Sequence, residues 1–264
     1  MSVGFSIITP SLNSAATIAA TLASVRSQCS ADVEHLVIDG GSTDGTLEIL
    51  ARTPGVRWIS EPDRGLSHAM NKGIGMARGD VIGWLNADDI YLPDALERVS
   101  DAFDSRPDAR WLTGRCIIID AHGAEIRRPV TAYKWGLLRR YGFGLHLTHN
   151  FVSSPSTFVR RGAFDEVGLF DERFRYSMDY DLWLRLGRMQ PPIVLDGRPL
   201  AAFRMAQGSL SMSEFERQFD EHAQNAREHG AGHAVPVGAN AVLSRGIVVA
   251  YRAMRALRRV SATS

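Results

Sequence analysis

Short apolar runs alternate with polar turns and longer stretches of helical periodicity through the first hundred residues. Phe5 to Thr9 is apolar and short, as a buried strand requires, and beyond Pro10-Ser11-Leu12-Asn13 the apolar positions Ile18, Leu22 and Val25 recur at helical spacing. The same unit returns with Val33 to Ile38 as strand, Asp39-Gly40-Gly41-Ser42-Thr43-Asp44-Gly45 as tight loop and Thr46 to Ala51 as helix. Val56 to Ser60 predicts a third strand, Leu66 to Ala77 a helix, and Val81 to Leu85 a fourth strand. Strands alternating with helices predict an α/β chain with a mostly parallel central sheet flanked by helices.

The rhythm changes after a helix expected over Asp94 to Phe103. Trp111 to Thr113 and Cys116 to Asp120 read as strands separated by Gly114. Arg127 to Asn150, rich in Tyr, Trp, Arg, Gly and His, reads as loops and short helices suited to shaping an acceptor pocket. Phe215 to His229 reads as a charged helix and Ala231 to Gly238 as a linker.

Composition narrows this picture mainly by exclusion. Thirty Lys and Arg against 29 Asp and Glu leave a formal net charge of +1, which gives no general attraction to nucleic acid. Cys29 and Cys116 are too few and too far apart for a metal motif or a disulfide framework, in keeping with a reducing compartment. Met1-Ser2-Val3-Gly4 runs into the first strand without a basic, then apolar, leader, so export is not expected. No uninterrupted apolar stretch reaches the roughly 18 residues of a membrane span.

Candidate chemistry gathers at three carboxylate sites. Asp88 and Asp89 follow the fourth strand within Leu85-Asn86-Ala87-Asp88-Asp89, at the sheet end where α/β proteins bind ligands. Paired carboxylates there suit a divalent cation carrying substrate phosphates, although Asp near a helix start also serves as a cap. Asp39 ends the second strand, where it suits either a nucleotide or an Asx turn in its glycine-containing loop. Asp179 and Asp181 open an apolar helix, where acids either complement the helix dipole or, near a sugar hydroxyl, serve as a general base. They point to different sides of the helix start, so only one would face a substrate while the other fixes local structure. Neither Gly-Lys-Ser/Thr nor Gly-x-Gly-x-x-Gly follows the first strand, which weakens kinase and dinucleotide readings. Arg64 and Lys72 are available to phosphates or to solvent; His146 and His149 are left outside the catalytic set.

Five segments in this order resemble glycosyltransferase family 2, the inverting enzymes of GT-A fold: Ser6 to Asn13, Val37 to Thr46, Asp63-Arg64-Gly65 with Ala69 to Gly73, Leu85 to Asp89, and Asp179-Tyr180-Asp181-Leu182-Trp183. The resemblance spans roughly Phe5 to Ser211. It implies a Rossmann-like GT-A domain over 1–211 and a helical C-terminal extension over 212–264. It further implies a nucleotide-sugar donor against Thr9, Pro10, Ser11, Asn13, Asp39, Arg64, Gly65, Asn71, Asn86, Ala87 and Asp88. Mg²⁺ or Mn²⁺ would be held by Asp88, with Asp89 assisting through water, and Asp179 would be the catalytic base. Asn86 replaces the first aspartate of the DxD-like motif. Ala206, in Arg204 to Ser211, stands where many relatives carry a histidine metal ligand. Ser153 to Phe158 resembles a segment lining the acceptor site.

The resulting expectation is a metal-dependent inverting hexosyltransferase. It would move a sugar from a nucleoside diphosphate sugar, UDP first, to a saccharide or lipid-linked saccharide hydroxyl in bacterial polysaccharide or glycolipid assembly. The alternatives are a non-catalytic nucleotide-sugar-binding module, motivated by Asn86 and Ala206, and a nucleotidyltransferase. Leu243 to Val260 carries five arginines and no acid among apolar residues, the pattern either of a helix on an anionic membrane surface or of a packed helix with a solvated basic face. A cytoplasmic location, peripheral at the inner face of the membrane, is expected.

Overall fold

The computed structural model describes residues 4–28, 32–205 and 215–261, the side chains of 215 and 250–261 excepted. Its elements in chain order are β1 Phe5–Ser11, α1 Ile18–Arg26, β2 Val33–Asp39, α2 Thr46–Ala51, β3 Val56–Ser60, α3 Leu66–Met76, β4 Val81–Trp84, β5 Ile90–Tyr91, α4 Ala95–Ser105, β6 Trp111–Gly114, β7 Cys116–Ile119 and β8 Glu125–Ile126. There follow α5 Arg128–Leu138, α6 Phe143–Thr148, β9 Thr157–Arg160, α7 Ala163–Val167, α8 Met178–Met189, β10 Ile193–Leu195, β11 Ala201–Arg204, α9 Phe215–His229 and α10 Ala234–Ser261.

The strands of strongest apolar pattern become the centre of a seven-stranded sheet ordered β10-β6-β9-β4-β1-β2-β3. Every residue of β1 and β4 is buried, as strands covered on both faces must be. The β1–β2, β2–β3 and β1–β4 pairs are parallel, so Ser11, Asp39 and Ser60 end neighbouring strands on one edge with the residues that follow β4. The expected mixed α/β architecture with a mostly parallel central sheet flanked by helices is therefore present. The antiparallel insertion of β9 between β4 and β6 lay outside the sequence expectation.

Helix α3 lies close to β1 because Gly73 leaves room: a Cβ there would sit 2.4 Å from Ile8 Cγ2. On the same side of the molecule three tryptophans stack. Trp183 of α8 lies between Trp84 of β4 and Trp111 of β6, with ring centroids 5.1 and 5.8 Å apart and planes within 7° of parallel. Their apolar area and stacking fix α8 against the sheet. Trp84 precedes Asp88 by one helical turn's worth of sequence and Trp183 follows Asp179 by the same interval, so the stack draws both acidic segments toward one region.

A second sheet, β5-β11-β7-β8, carries Arg204 to the end of β4. Helix α9 packs on α8, and α10 packs on α6 and α9. Two expectations need correction. Arg127 to Asn150 is more regular than loops and short helices, because α5 runs eleven residues. Ala231 to Gly238 is not a linker throughout: α10 begins at Ala234, and Pro236 falls in its first turn, where its missing N–H has no helical partner to lose.

Candidate active site

The loops after β1 and β2 are stapled together by their own polar groups. Asn13 N–H donates to Ser42 Oγ (2.7 Å) and Asn13 Oδ1 accepts from Thr43 N–H (2.9 Å). Asn13 holds φ +50°, a conformation that asparagine tolerates better than most residues. Asp39 is fully buried; its Oδ2 accepts from Gly41 N–H, Ser42 N–H and Ser60 Oγ at 3.0, 2.8 and 2.7 Å, and its Oδ1 from Ser42 Oγ. Burial alone would raise this carboxyl, but the Ser42, Ser60 and Gly41 hydrogen bonds hold it below the usual aspartate range. The Asx-turn role is thus present in the fold. Thr9 turns its hydroxyl to His35 Nε2 (2.9 Å), inside the sheet layer, and burial lowers His35 to about 4. Ser11, by contrast, ends β1 with a buried Oγ that has no hydrogen-bond partner among the described residues; Pro10 beside it is buried as well.

Several other expected donor contacts are engaged within the protein. Asn71 donates to Phe170 O and accepts from Phe170 N–H, both at 2.9 Å, so its amide clamps α3 to the segment before α8. Arg64 is exposed and paired with Glu172 (2.8 Å), and Lys72 with Glu61 (2.7 Å). Gly65 opens α3 at φ +122°, its N–H donating to Asp63 Oδ1. Ala87 packs into the apolar cluster of Ile18, Leu22, Val37 and Leu50.

The two neighbouring acids separate. Asp89 is fully buried, with Oδ1 accepting from Arg204 N–H (2.8 Å) and Oδ2 from Asn86 Nδ2 (3.1 Å). Both carboxylate oxygens of Asp89 thus face protein donors, and the side chain ties β4's end to β11. Asp88 remains partly exposed, while Arg204 Nε donates to its backbone carbonyl (2.9 Å). Burial raises both carboxyls, and the charge of Asp88 raises Asp89 further. Neither acid caps α4, whose N-cap is Asp94. Among the described residues no three His, Cys, Asp or Glu side chains converge as a cation cage. A single carboxylate at this edge does fit Mg²⁺ or Mn²⁺ held largely by substrate phosphates and water, the usual style of Mg²⁺ binding. Ala206 lies outside the described residues.

The third pair also divides, at the start of α8. Asp179 accepts from Ser154 Oγ through Oδ2 and from Tyr180 N–H through Oδ1, each at 2.7 Å. Burial raises its carboxyl above the ordinary range, against the Ser154 and Tyr180 hydrogen bonds and the Lys134 charge. Asp181 is 3% exposed and takes Arg185 Nη2 at 2.6 Å and His229 Nε2 at 2.8 Å. Burial would raise it too, but these partners pull it below the usual range. The two acids are thus shifted in opposite directions, Asp181 down by its cationic partners and Asp179 up by burial.

Lys134, from α5, went unnoticed in the sequence. Burial lowers its ammonium pKa while Cys116 and Asp179 oppose that, and Cys116 in turn feels Asp89. Lys134 thus feels the charge of Asp179 across the site. Its surroundings, a stretch of aromatic and basic residues without a periodic signal, gave no reason to single it out. His146 and His149 are lowered by burial to about 3 and about 4, which leaves neutral imidazoles; His146 packs between Tyr141, Phe151 and Tyr180.

This chain matches the glycosyl transferase family 2 profile over residues 6–168. It is 36% identical over 190 residues, 69% of this chain and 68% of the relative, to a PGL/p-HBAD biosynthesis glycosyltransferase of Mycobacterium tuberculosis. To the chondroitin synthase of Escherichia coli it is 32% identical over 192 residues, covering 70% of this chain and 27% of that much longer one. Its fold resembles Staphylococcus aureus TarS 1-349 in complex with UDP-GlcNAc (TM-score 0.65, 18% identity, 84% of this chain and 66% of that one). It also resembles the mannosyltransferase PcManGT of Pyrobaculum calidifontis in complex with GDP-Man and Mn²⁺ (TM-score 0.66, 16% identity, 100% and 81%).

Proposed function

The chain belongs to glycosyl transferase family 2, the enzymes of glycan biosynthesis with a GT-A fold, and on that premise we propose that it transfers a hexose with inversion from a nucleoside diphosphate sugar to a hydroxyl acceptor. The observation that carries this reading is the partly buried Asp179 carboxyl, held by Ser154 Oγ and Tyr180 N–H at the start of α8, with burial raising its pKa above the ordinary aspartate range. The acceptor O–H gives its proton to Asp179 as its oxygen attacks the anomeric carbon. The bond from that carbon to the diphosphate breaks on the opposite face, and the configuration inverts. No covalent enzyme intermediate is required.

The donor side of the proposal rests on Ser11, Asn13 and Asp39 at the ends of β1 and β2, with Pro10 and backbone atoms of Thr9 against the base. Asn86, Ala87 and Asp88 would lie toward the diphosphate. Asp88 is the residue to hold Mg²⁺ or Mn²⁺, which when bound offsets the charge that develops on the leaving diphosphate. Arg64, Gly65 and Asn71 belong to the wall of the same crevice, Arg64 after leaving Glu172. UDP is the leading nucleotide, because TarS of the same fold binds UDP and UDP-GlcNAc, while PcManGT binds GDP-Man. The mycobacterial and Escherichia coli relatives support a lipid-linked or polysaccharide acceptor.

Release of nucleoside diphosphate from UDP-, GDP- and dTDP-sugars with Mn²⁺ or Mg²⁺, with Asp179→Asn as control, tests the reading and identifies the donor. Donor binding without turnover under every acceptor would favour a binding module instead, a reading to which Asn86 contributes by spending its amide on Asp89. No binding to any donor overturns both.

We further propose a peripheral location at the inner face of the cytoplasmic membrane, supported by the C-terminal helix. Val235, Val242, Leu243 and Val249 of α10 are exposed, near the arginine-rich sequence that continues to Val260. Among the described residues no helix is long and apolar enough to cross a membrane, so the association would be peripheral. Flotation with anionic vesicles tests it, and protein that stays at the bottom of the gradient with and without salt removes the membrane from the proposal.

A further inference from the structure

Helix α9 presents Glu221, Asn225 and His229 at successive steps of four residues, which places them on one face of the helix. That face lies against the start of α8. Glu221 takes four hydrogen bonds from the turn that leads into α8: the N–H groups of Arg175, Tyr176 and Ser177 at 3.1, 2.8 and 2.8 Å, and Ser177 Oγ at 3.2 Å. Asn225 is fully buried and donates to Ser177 O (3.1 Å) and Ser177 Oγ (2.9 Å). One turn further, His229 Nε2 meets Asp181 Oδ1 at 2.8 Å. Asp179 sits between these anchors, two residues after Ser177 and two before Asp181.

The arrangement is more specific than helix packing needs. Ser177 is the N-cap residue of α8, yet its side chain makes no capping bond to that helix. The orphan donors at and before the helix start go to a carboxylate from another element, which also complements the positive end of the α8 dipole. Glu221 therefore fixes the backbone from which Asp179 projects, while Ser154, from the turn before β9, holds the carboxylate itself. Three successive N–H groups aimed at one carboxylate leave this turn little freedom to rotate.

We propose that Glu221, with Asn225 and His229, is a positioning residue for sugar transfer: α9 sets the height and direction of the Asp179 carboxylate relative to the acceptor hydroxyl. The inference rests on Asp179 being the base. Donor binding, on the β1–β2 side of the crevice, does not involve this face, so the effect falls on turnover and not on donor affinity.

The test compares wild type, Glu221→Gln, Glu221→Ala and Asp179→Asn in the full chain. Turnover is read from nucleoside diphosphate release, donor affinity from calorimetric titration with the donor identified in the screen, and folding from circular dichroism and thermal melting. Misplacing a reacting group by about 1 Å costs on the order of 100-fold in rate, so folded Glu221→Ala is expected to lose about 10- to 100-fold in kcat with a donor Kd within about twofold of wild type. Glu221→Gln keeps one acceptor oxygen and falls between; if the alanine variant does not fold, the glutamine variant decides. A folded Glu221 variant with wild-type kcat, or one whose donor affinity falls as far as its kcat, overturns the inference while an inactive Asp179→Asn leaves the base intact. Activity retained by Asp179→Asn instead overturns the base, and the inference with it.

Discussion

Ser154 Oγ donates to Asp179 Oδ2 across 2.7 Å, joining the turn before β9 to the first residues of α8. The bond favours the ionised carboxylate, in opposition to burial, which raises its pKa. Ser154→Ala removes a lowering influence, so the Asp179 carboxyl rises further. A base works only when deprotonated, and activity is lost as pH falls through its pKa. The acid limb of the kcat profile is therefore expected to move to higher pH in Ser154→Ala. A limb that stays in place or moves lower would contradict this. Asp179→Asn should lose roughly 10²- to 10⁴-fold in turnover, the usual worth of general base catalysis.

The same raised pKa carries a stability signature. A carboxyl that binds its proton more tightly in the folded than in the unfolded chain contributes stability below the unfolded pKa, and that contribution is lost as pH rises through the folded value. Ionised Asp179 thus costs stability at neutral and basic pH. Asp179→Asn is expected to melt at a higher temperature than wild type at pH 8, and the gap should close toward the unfolded aspartate pKa of about 3.9. Calorimetric melts across this range check the sign.

Asp88 and Asp89 should respond differently to the same change. Asp88 is partly exposed, with no side-chain hydrogen bond among the described residues, whereas Asp89 is committed to Arg204 and Asn86. Asp88→Asn is expected to raise the Mn²⁺ concentration for half-maximal activity by at least the roughly 10- to 100-fold known for residues that support metal ligands, with the melting temperature unchanged or higher. Asp89→Asn should chiefly alter folding. Equal loss of metal response in both variants would make Asp89 a metal-binding residue alongside Asp88.

The contrast between these two acids marks how far the sequence could be read. Alternating strands and helices up to Trp84 were legible because apolar period and turn residues agree there, and the acids at strand and helix starts were legible as charge where the core pattern breaks. Which acid of each pair turns inward was not. Asp89 is fixed by a backbone N–H more than a hundred residues away, and Asp181 by His229, so the choice depends on tertiary partners. Strand β9 was missed for a related reason: its position is set by antiparallel pairing with β4 and β6, not by a βα repeat. Lys134 and Glu221 lie on amphipathic helices, where a charge ordinarily reads as solvent-facing.

Asp181 supplies the structural counterpart to Asp179. Its carboxyl lies below the usual range even though burial raises it, because His229 and Arg185 favour the anion. A lowered folded pKa contributes stability above the unfolded pKa, lost as pH falls through the folded one. Removing one partner of a buried pair typically costs about 3–5 kcal/mol, so Asp181→Asn is expected to lower the melting temperature at pH 7. The difference from wild type should shrink below about pH 4 as the native carboxyl takes up its proton. A constant difference across pH would show that the loss comes from packing and not from charge.

Asn71 distinguishes a donor contact from a scaffold contact. Its amide both donates to and accepts from Phe170, a two-sided clamp that no aliphatic side chain can replace, and Phe170 in turn packs edge-on against Trp84 of the tryptophan stack. Asn71→Ala leaves a backbone N–H and a carbonyl without partners at a partly buried site, at about 1–3 kcal/mol for each unsatisfied group. If the side chain acts mainly as a clamp, the variant unfolds at lower denaturant with donor Kd within about twofold of wild type once measured well below its melting temperature. A donor Kd weakened tenfold or more in the folded variant, corresponding to about 1.4 kcal/mol, would mean that the amide leaves Phe170 to meet the nucleotide sugar.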